Sequence, residues 1–405
     1  MEELKTYRLA DICNSIQTGP FGSQLHKSDY VEFGTPIVMP KDITNGKIND
    51  NNISRISKND VARLFKHKLV PGNIIYPRRG DISKCALITS KEDGWVCGTG
   101  CIKVDINQQI ANSTYVMYVL CQSETVNWIE SNAVGTTMLN LNTSILSDLP
   151  IKLPSLNTQK KLANIVSSFD KKIALNRRIN DNLEQQAQAL FKSWFVDFEP
   201  FKEGKFVDSE MGMIPEGWKV GRLCDFAIIT MGQSPSGDSY NENKEGMVFY
   251  QGRSEFGNRF PSIKLYTTDP NRIAEKNSIL ISVRAPVGDI NIASQDCCIG
   301  RGLASIKARG NYNSFLYYTV KSMKKEFDVY NGEGTVFGSI NKDSLNSMPV
   351  IIPTTEEISN FEKITSVLDY NYEKCHRENI ILTSLRDNLL PRLMSGELKI
   401  NDLNC

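Results

Sequence analysis

A chain that repeats itself at a constant offset builds one unit twice, and this restricts its fold more than any local propensity does. In this 405-residue sequence the offset locks at 199 from Gly135 onward. Gly135-Thr136 matches Gly334-Thr335 and Leu141-Asn142 matches Ile340-Asn341. Pro150, Pro154, Ile165, Asp170 and Asn180 match Pro349, Pro353, Ile364, Asp369 and Asn379. Upstream the echo persists but drifts. Leu9-Ala10-Asp11-Ile12 answers to Leu223-Cys224-Asp225-Phe226, Gly80-Asp81-Ile82 to Gly288-Asp289-Ile290, and Gly98-Thr99-Gly100 to Gly300-Arg301-Gly302. Each half is therefore a globular part with loops of variable length, followed by a segment of fixed length.

The fixed segment carries a heptad seam. Leu162, Val166, Phe169, Ile173, Asn176, Asn180, Leu183, Ala187, Leu190 and Trp194 follow one another in steps of four and three. The offset returns Phe361, Thr365, Leu368, Tyr372, Cys375, Asn379, Leu382, Arg386, Leu389 and Leu393. Such a seam predicts two helices of about 40 residues, each about 60 Å long. The residues expected to join them are Leu162, Val166, Phe169, Ile173, Leu183 and Leu190 on the first, and Phe361, Leu368, Leu382 and Leu389 on the second. Separated by a compact domain, the two lie most naturally antiparallel. The competing arrangement buries each helix against its own domain. Pro154 and Pro353 precede the helices, Ser155 and Thr354 are placed as N-caps, and Pro391 and Gly396 mark the second helix's end.

Strand-like runs (Thr35–Met39, Asn73–Tyr76, Cys85–Thr89, Cys101–Asp105) precede a helical stretch, Ser113–Ser131. Gly246–Tyr250, Ser278–Val283 and Ala304–Lys307 repeat this before Asn313–Tyr330. The expected fold class is α+β: two globular α+β domains joined by two long helices in an antiparallel coiled coil, a pseudo-two-fold internal repeat. The expected boundaries are 1–154, a helix at 155–196, a Pro/Gly-marked linker at 197–217, 218–353, a helix at 354–396 and a tail at 397–405.

Catalytic signatures are missing. There is no Asp/Asn-Pro-Pro-Tyr/Phe tetrad and no phosphate loop, and with three histidines (His26, His67, His376) no catalytic triad is readable. The ten cysteines show no C-x2-C spacing, so no metal site and no disulfide framework is expected. The paired glycines at 98/100 and 300/302 lack a third glycine and read as tight turns or close backbone approaches. Gly135-Thr136 and Gly334-Thr335 read as turns rather than anion nests. No signal-peptide pattern and no apolar run of membrane length is found, so a cytoplasmic protein with no membrane partner is expected.

Gly135-Thr-Thr-Met-Leu-Asn-Leu-Asn142, Leu149-Pro-Ile-Lys-Leu-Pro154 and the helix with Asn176-Arg-Arg-Ile-Asn180 together resemble the conserved regions of type I restriction-modification specificity subunits. Leu190-Phe-Lys-Ser-Trp-Phe-Val-Asp-Phe198, Ile214-Pro-Glu-Gly-Trp218 and the ending Leu389-Leu-Pro-Arg-Leu-Met-Ser-Gly-Glu-Leu398 are similar to that family too. The resemblance covers essentially the whole chain. It implies that each globular part is a target recognition domain for one half of a split, asymmetric site on double-stranded DNA. It implies that the helix pair fixes the spacing and docks two methyltransferase subunits, with motor-nuclease subunits joining the core. No cofactor is expected in this chain; S-adenosylmethionine belongs to the methyltransferase, and ATP and Mg to the motor nuclease. The alternative is a structural adaptor that joins two protein partners through the helices without DNA.

Base reading favours Arg on guanine and Asn or Gln on adenine. Turn-rich segments at matching places in the two halves supply the expected DNA-binding residues. They are Gln24, Lys27, Lys41, Arg78 and Arg79 in the first, and Gln233, Ser234, Gln251, Arg253 and Arg284 in the second. The net charge of +1 predicts weak binding by the isolated chain.

Overall fold

The computed structural model describes residues 4–44, 46–135, 139–331, 338–395 and 397–398. The chain divides into two units, Met1–Leu175 with Glu378–Cys405, and Asn176–Arg377. The dividing points fall inside the two long helices, so each unit holds one globular domain and one half of each helix.

In the first unit, Cys13–Thr18, Cys101–Ile106, Asn73–Pro77 and Ala86–Leu87 lie side by side in that order, all antiparallel. Every residue of Asn73–Pro77 is buried, as its unbroken apolar run requires of a central strand covered on both faces. A second sheet orders Tyr30–Val31, Arg55–Ile56, Thr35–Val38 and Val96–Cys97, with the last pair parallel. Lys5–Arg8 pairs with Pro150–Leu153, bringing the chain back to where the first long helix starts. Ile74, Tyr76, Ile102 and Val104 from the sheet meet Tyr115, Val116 and Leu120 from the helix Ser113–Leu120 in one core. Leu162, Ala163 and Val166 from the first long helix and Leu393 and Met394 from the second complete it.

The second unit builds this again. Ala227–Met231, Leu303–Ala308, Ile279–Ser282 and Ile290–Ile292 form the antiparallel sheet. A five-stranded sheet contains the parallel pair Met247–Tyr250 and Cys297–Ile299. Lys219–Arg222 pairs with Pro349–Ile352 as the closing ribbon.

The long helices span Leu156–Phe195 and Thr355–Met394. Thr354 and Glu357 form a capping box at the second: the Thr354 N–H donates to Glu357 Oε2 at 2.9 Å, and the Glu357 N–H donates to Thr354 Oγ1 at 3.4 Å. Ser155 Oγ accepts the Thr158 N–H at 3.4 Å at the first. All twenty seam residues are buried or half-buried, whereas Lys171, Lys172, Arg177 and Arg178 beside them are exposed. The antiparallel sense shows within each unit. In the first, Arg386 on the second helix pairs with Asp170 on the first at 2.7 Å, and Lys172 with Glu378 at 3.3 Å. In the second, Phe361 near the start of the second helix packs on Phe191 and Phe195 near the end of the first, with ring centroids 5.9 and 5.1 Å apart. Partner sequence numbers thus run in opposite directions. Helix meets helix, and at each outer end the same residues also enter the core of the adjacent domain.

Several expectations change. At the far end of the first helix the strict seam gives way: Leu190 and Trp194 are half-buried, and Phe191 and Phe195 are the buried residues. The helix there serves a three-way core rather than a two-helix stripe. The run 113–131 is two helices, Ser113–Leu120 and Ser123–Asn132, because Gln122 is extended (φ −75°, ψ 146°). The stretch 197–217 is folded. Phe198 and Phe201 pack edge-to-face with buried Trp218, ring centroids 5.5 and 5.1 Å away, and Phe206–Val207 pairs with Ile214–Pro215. Pro391 does not stop the second helix; it occupies the last turn, which continues to Met394. Gly135 has a φ of +118°, while Thr136, Gly334-Thr335 and Gly396 lie outside the described residues. No described helix is long and apolar enough to cross a membrane.

Candidate nucleic-acid interface

In each domain five chain segments meet at one end of the sheets, and backbone hydrogen bonds hold them in the same way twice. The Gly19 N–H donates to the Cys101 carbonyl at 2.8 Å, as Gly232 does to Leu303 at 2.9 Å. The Gly98 N–H donates to Val38 at 2.9 Å, as Gly300 does to Tyr250 at 2.8 Å. The Arg78 N–H reaches Gly100 at 2.6 Å, as Val283 reaches Gly302 at 2.9 Å. Leu141 donates back to Arg78 at 2.8 Å, as Ile340 does to Val283 at 3.0 Å, and isolated bridges join Arg79 to Asn140 and Arg284 to Ser339.

This close convergence explains two of the glycines. A Cβ on Gly19 would lie 2.0 Å from the Gly98 carbonyl oxygen, and one on Gly232 would lie 2.2 Å from that of Gly300. Backbone stands where a side chain would go, so no other residue fits without moving the loops. The glycine-x-glycine turns identified in the sequence are the partners in this approach.

The second sheets contribute a matching acidic turn. Asp42 is buried and accepts the Met39 N–H at 2.9 Å. Glu255 is buried and accepts the Gly252 N–H at 3.0 Å. Burial pushes the Asp42 carboxyl above its ordinary range, against the Met39 N–H and Lys41, which favour the charged form.

The candidate residues divide by what already holds them. Gln24 is exposed, with its side-chain oxygen accepting from the Phe21 N–H at 3.4 Å. Lys27 is exposed with no side-chain partner among the described residues. Lys41 donates to the Asn52 carbonyl at 3.3 Å and stands 3.8 Å from Asp42. Arg253 is paired with Asp289. Ser234 accepts the Arg301 N–H at 3.3 Å. Gln233, Gln251 and Arg284 are exposed, and their side chains make no hydrogen bond among the described residues. Arg78 is half-buried, with its Nε buried and making no hydrogen bond among the described residues, and Arg79 is exposed. Lys41, Arg78 and Arg79 thus sit at the convergent end of the first domain, and Gln233, Ser234, Gln251, Arg253 and Arg284 at that of the second. Gln24 and Lys27 lie further along the loop that leaves it.

These ends make two similar polar surfaces of backbone turns with arginines, suited to hydrogen-bonding an extended, charged ligand. A family model described as the type I restriction modification DNA specificity domain matches residues 1–185 and again 215–382. The chain belongs to this DNA specificity family. It is 31% identical over 98% of its length to a putative type I restriction enzyme MjaX specificity subunit of Methanocaldococcus jannaschii, of which 94% is covered. The type I restriction enzyme HindI specificity subunit of Haemophilus influenzae is 25% identical, with 98% of this chain and all of that one covered. The crystal structure of a type I restriction-modification S subunit from M. genitalium shares the fold, with a TM-score of 0.64 at 18% identity over 96% of both chains.

Each domain of this family member is tied to the helix pair through a tyrosine and an aspartate at repeat-related positions. Tyr118 donates to Asp170 at 2.5 Å, and Tyr318 to Asp369 at 3.2 Å. The arginine that completes each group comes from a different place. In the first unit it is Arg386 of the second long helix. In the second it is Arg259, from the loop before Leu265–Thr267, which reaches Asp369 at 2.5 Å and Glu184 at 2.9 Å. Arg259 is almost fully buried, and its guanidinium lies over Tyr317 and Tyr372 at 4.5 and 4.8 Å. Burial alone would raise the Glu184 carboxyl, but Arg259 and Lys321 outweigh it and hold it below its ordinary value. Arg259 is not among the residues expected from sequence, since nothing local distinguishes it from a solvated loop arginine.

Proposed function

We propose that the chain is the DNA-reading subunit of a type I restriction-modification complex, with each α+β domain reading one half of a split, asymmetric duplex site. The observation that carries this is the duplicated convergent end, where the same hydrogen bonds present a different set of side chains twice. One scaffold with two sets of side chains is what reading two half-sites requires. Phosphate contacts position a protein and base-edge contacts specify. The antiparallel helix pair then sets the separation of the half-sites, and its outward residues dock two methyltransferase subunits.

In this proposal the chain performs no chemistry. S-adenosylmethionine is bound by the methyltransferase, ATP and Mg by the motor nuclease, and the specificity subunit binds none of them. Combined with a cognate methyltransferase subunit, it directs adenine methylation to one split motif. Replacing residues 1–154 by the corresponding domain of a relative should change one half of the methylated motif and leave the other and the spacing intact. A motif indifferent to that replacement would refute the proposal.

A further inference from the structure

The two convergent ends share a set of matching backbone hydrogen bonds, so they can be compared position by position. Arg79 and Arg284 occupy the same place, each bridged to the segment that returns toward the closing strand. Arg78 corresponds to Val283, since each donates to the second glycine of its loop. Thr99 corresponds to Arg301, each the middle residue between those glycines. With Arg253 held by Asp289, each end therefore carries two arginines whose guanidiniums have no partner among the described residues. One has a shared position; the other has moved from a strand end in the first domain to the adjacent glycine loop in the second.

In the first domain the other arginines are already held. Of the five in residues 1–154, Arg8 is paired with Asp11, Arg55 donates to the Gly34 carbonyl, and Arg63 is paired with Asp29 and Asp60. Only Arg78 and Arg79 have guanidiniums with no partner among the described residues, and they are the two at the convergent end. Arg78 Nε is buried without a hydrogen bond there, while the residue as a whole is half-exposed. Its stem is thus fixed by packing and its remaining donors are unclaimed. Arg301 is exposed, and its own N–H is fixed on Ser234 Oγ.

Two heads that read different sequences share what holds the phosphates and differ in what meets the base edges. Resting on the DNA-reading proposal above, we infer that Arg78 in the first domain and Arg301 in the second are the discriminating arginines, each bidentate to a guanine, and that Arg79 and Arg284 are phosphate anchors. Arg301 has no counterpart among the residues expected from sequence.

The test uses the full chain assembled with its methyltransferase subunit, acting on unmethylated genomic DNA, with methylated adenines mapped at single-base resolution. The domain replacement described above assigns each half of the motif. Arg78→Ala should lower the preference at one G·C position of the first half by about tenfold or more, and leave the second half unchanged; Arg301→Ala should do the converse. Arg78→Gln should shift that same position toward adenine. Arg79→Ala and Arg284→Ala should keep the motif, slow methylation, and reduce the salt dependence of DNA binding by about one charge. Wild-type selectivity in Arg78→Ala and Arg301→Ala, or an altered motif in Arg79→Ala or Arg284→Ala, overturns the assignment. Loss of all methylation in both Arg78 variants with the urea midpoint unchanged counts against it as well. If instead the wild-type motif ignores domain replacement, the DNA-reading proposal itself fails.

Discussion

Arg259 offers the sharpest test of how a recognition domain is fastened to the helices. It is 3% exposed and bridges Glu184 of the first long helix and Asp369 of the second, whose side chains are 16% and 20% exposed. Arg259→Met keeps the stem's packing over Tyr317 and Tyr372 but leaves two carboxylates largely buried. Breaking a buried ion pair costs about 3–5 kcal/mol. Lys321 still serves Glu184, so a loss near the lower end, about 3 kcal/mol, is expected. Urea unfolding of the full chain, followed by tryptophan fluorescence and far-UV circular dichroism, measures it. The triple variant Arg259→Met/Glu184→Gln/Asp369→Asn removes the stranded charges and should recover to within about 1–2 kcal/mol of wild type. The acid side gives an independent sign. Glu184 is held below its unfolded value of about 4.5, so its contribution is complete above that pH and is lost as pH falls through the lowered folded value. A single variant costing less than about 1 kcal/mol, or a triple variant no more stable than the single, would refute the clamp.

Other consequences follow from particular contacts. Tyr118→Phe removes the hydroxyl that Asp170 accepts and should cost about 2 kcal/mol in the same unfolding experiment. Phe361→Ala empties the centre of an aromatic cluster formed with Phe191, Phe195 and Phe315 and should cost about 4 kcal/mol, read as a lower urea midpoint. Gly232→Ala forces a methyl against the Gly300 carbonyl; methylation mapping should show loss of the second half-site's selectivity while the first is kept.

What was legible in the sequence was whatever repeats or has a period. The constant offset revealed two copies of one unit, the heptad steps placed both long helices, and the compact domain between them pointed to their antiparallel sense. The matching polar turns led to the convergent ends. What was hidden depends on tertiary contact. Phe191 and Phe195 displace the seam because a third element, the second domain, packs there. Gln122 breaks a run that is apolar enough to continue as helix. The 197–217 stretch has the prolines and glycines of a tether, yet Phe198 and Phe201 find Trp218 and fold it. Arg301 was visible only as the middle of a glycine turn, because its equivalence to Thr99 rests on hydrogen bonds between strands far apart in sequence. Arg259 and Arg386 do the same job from unrelated positions, so no repeat pattern could link them.

In the proposed function the helix pair measures the gap between two readers. Inserting one heptad into each long helix, at facing positions so that the seam is kept, adds about 10 Å. At about 3.4 Å per base pair this equals about three base pairs. Methylation mapping with the lengthened subunit should return both half-site sequences unchanged, with about three more unspecified base pairs between them. Unchanged spacing, or a new half-site sequence at the old spacing, would contradict the account.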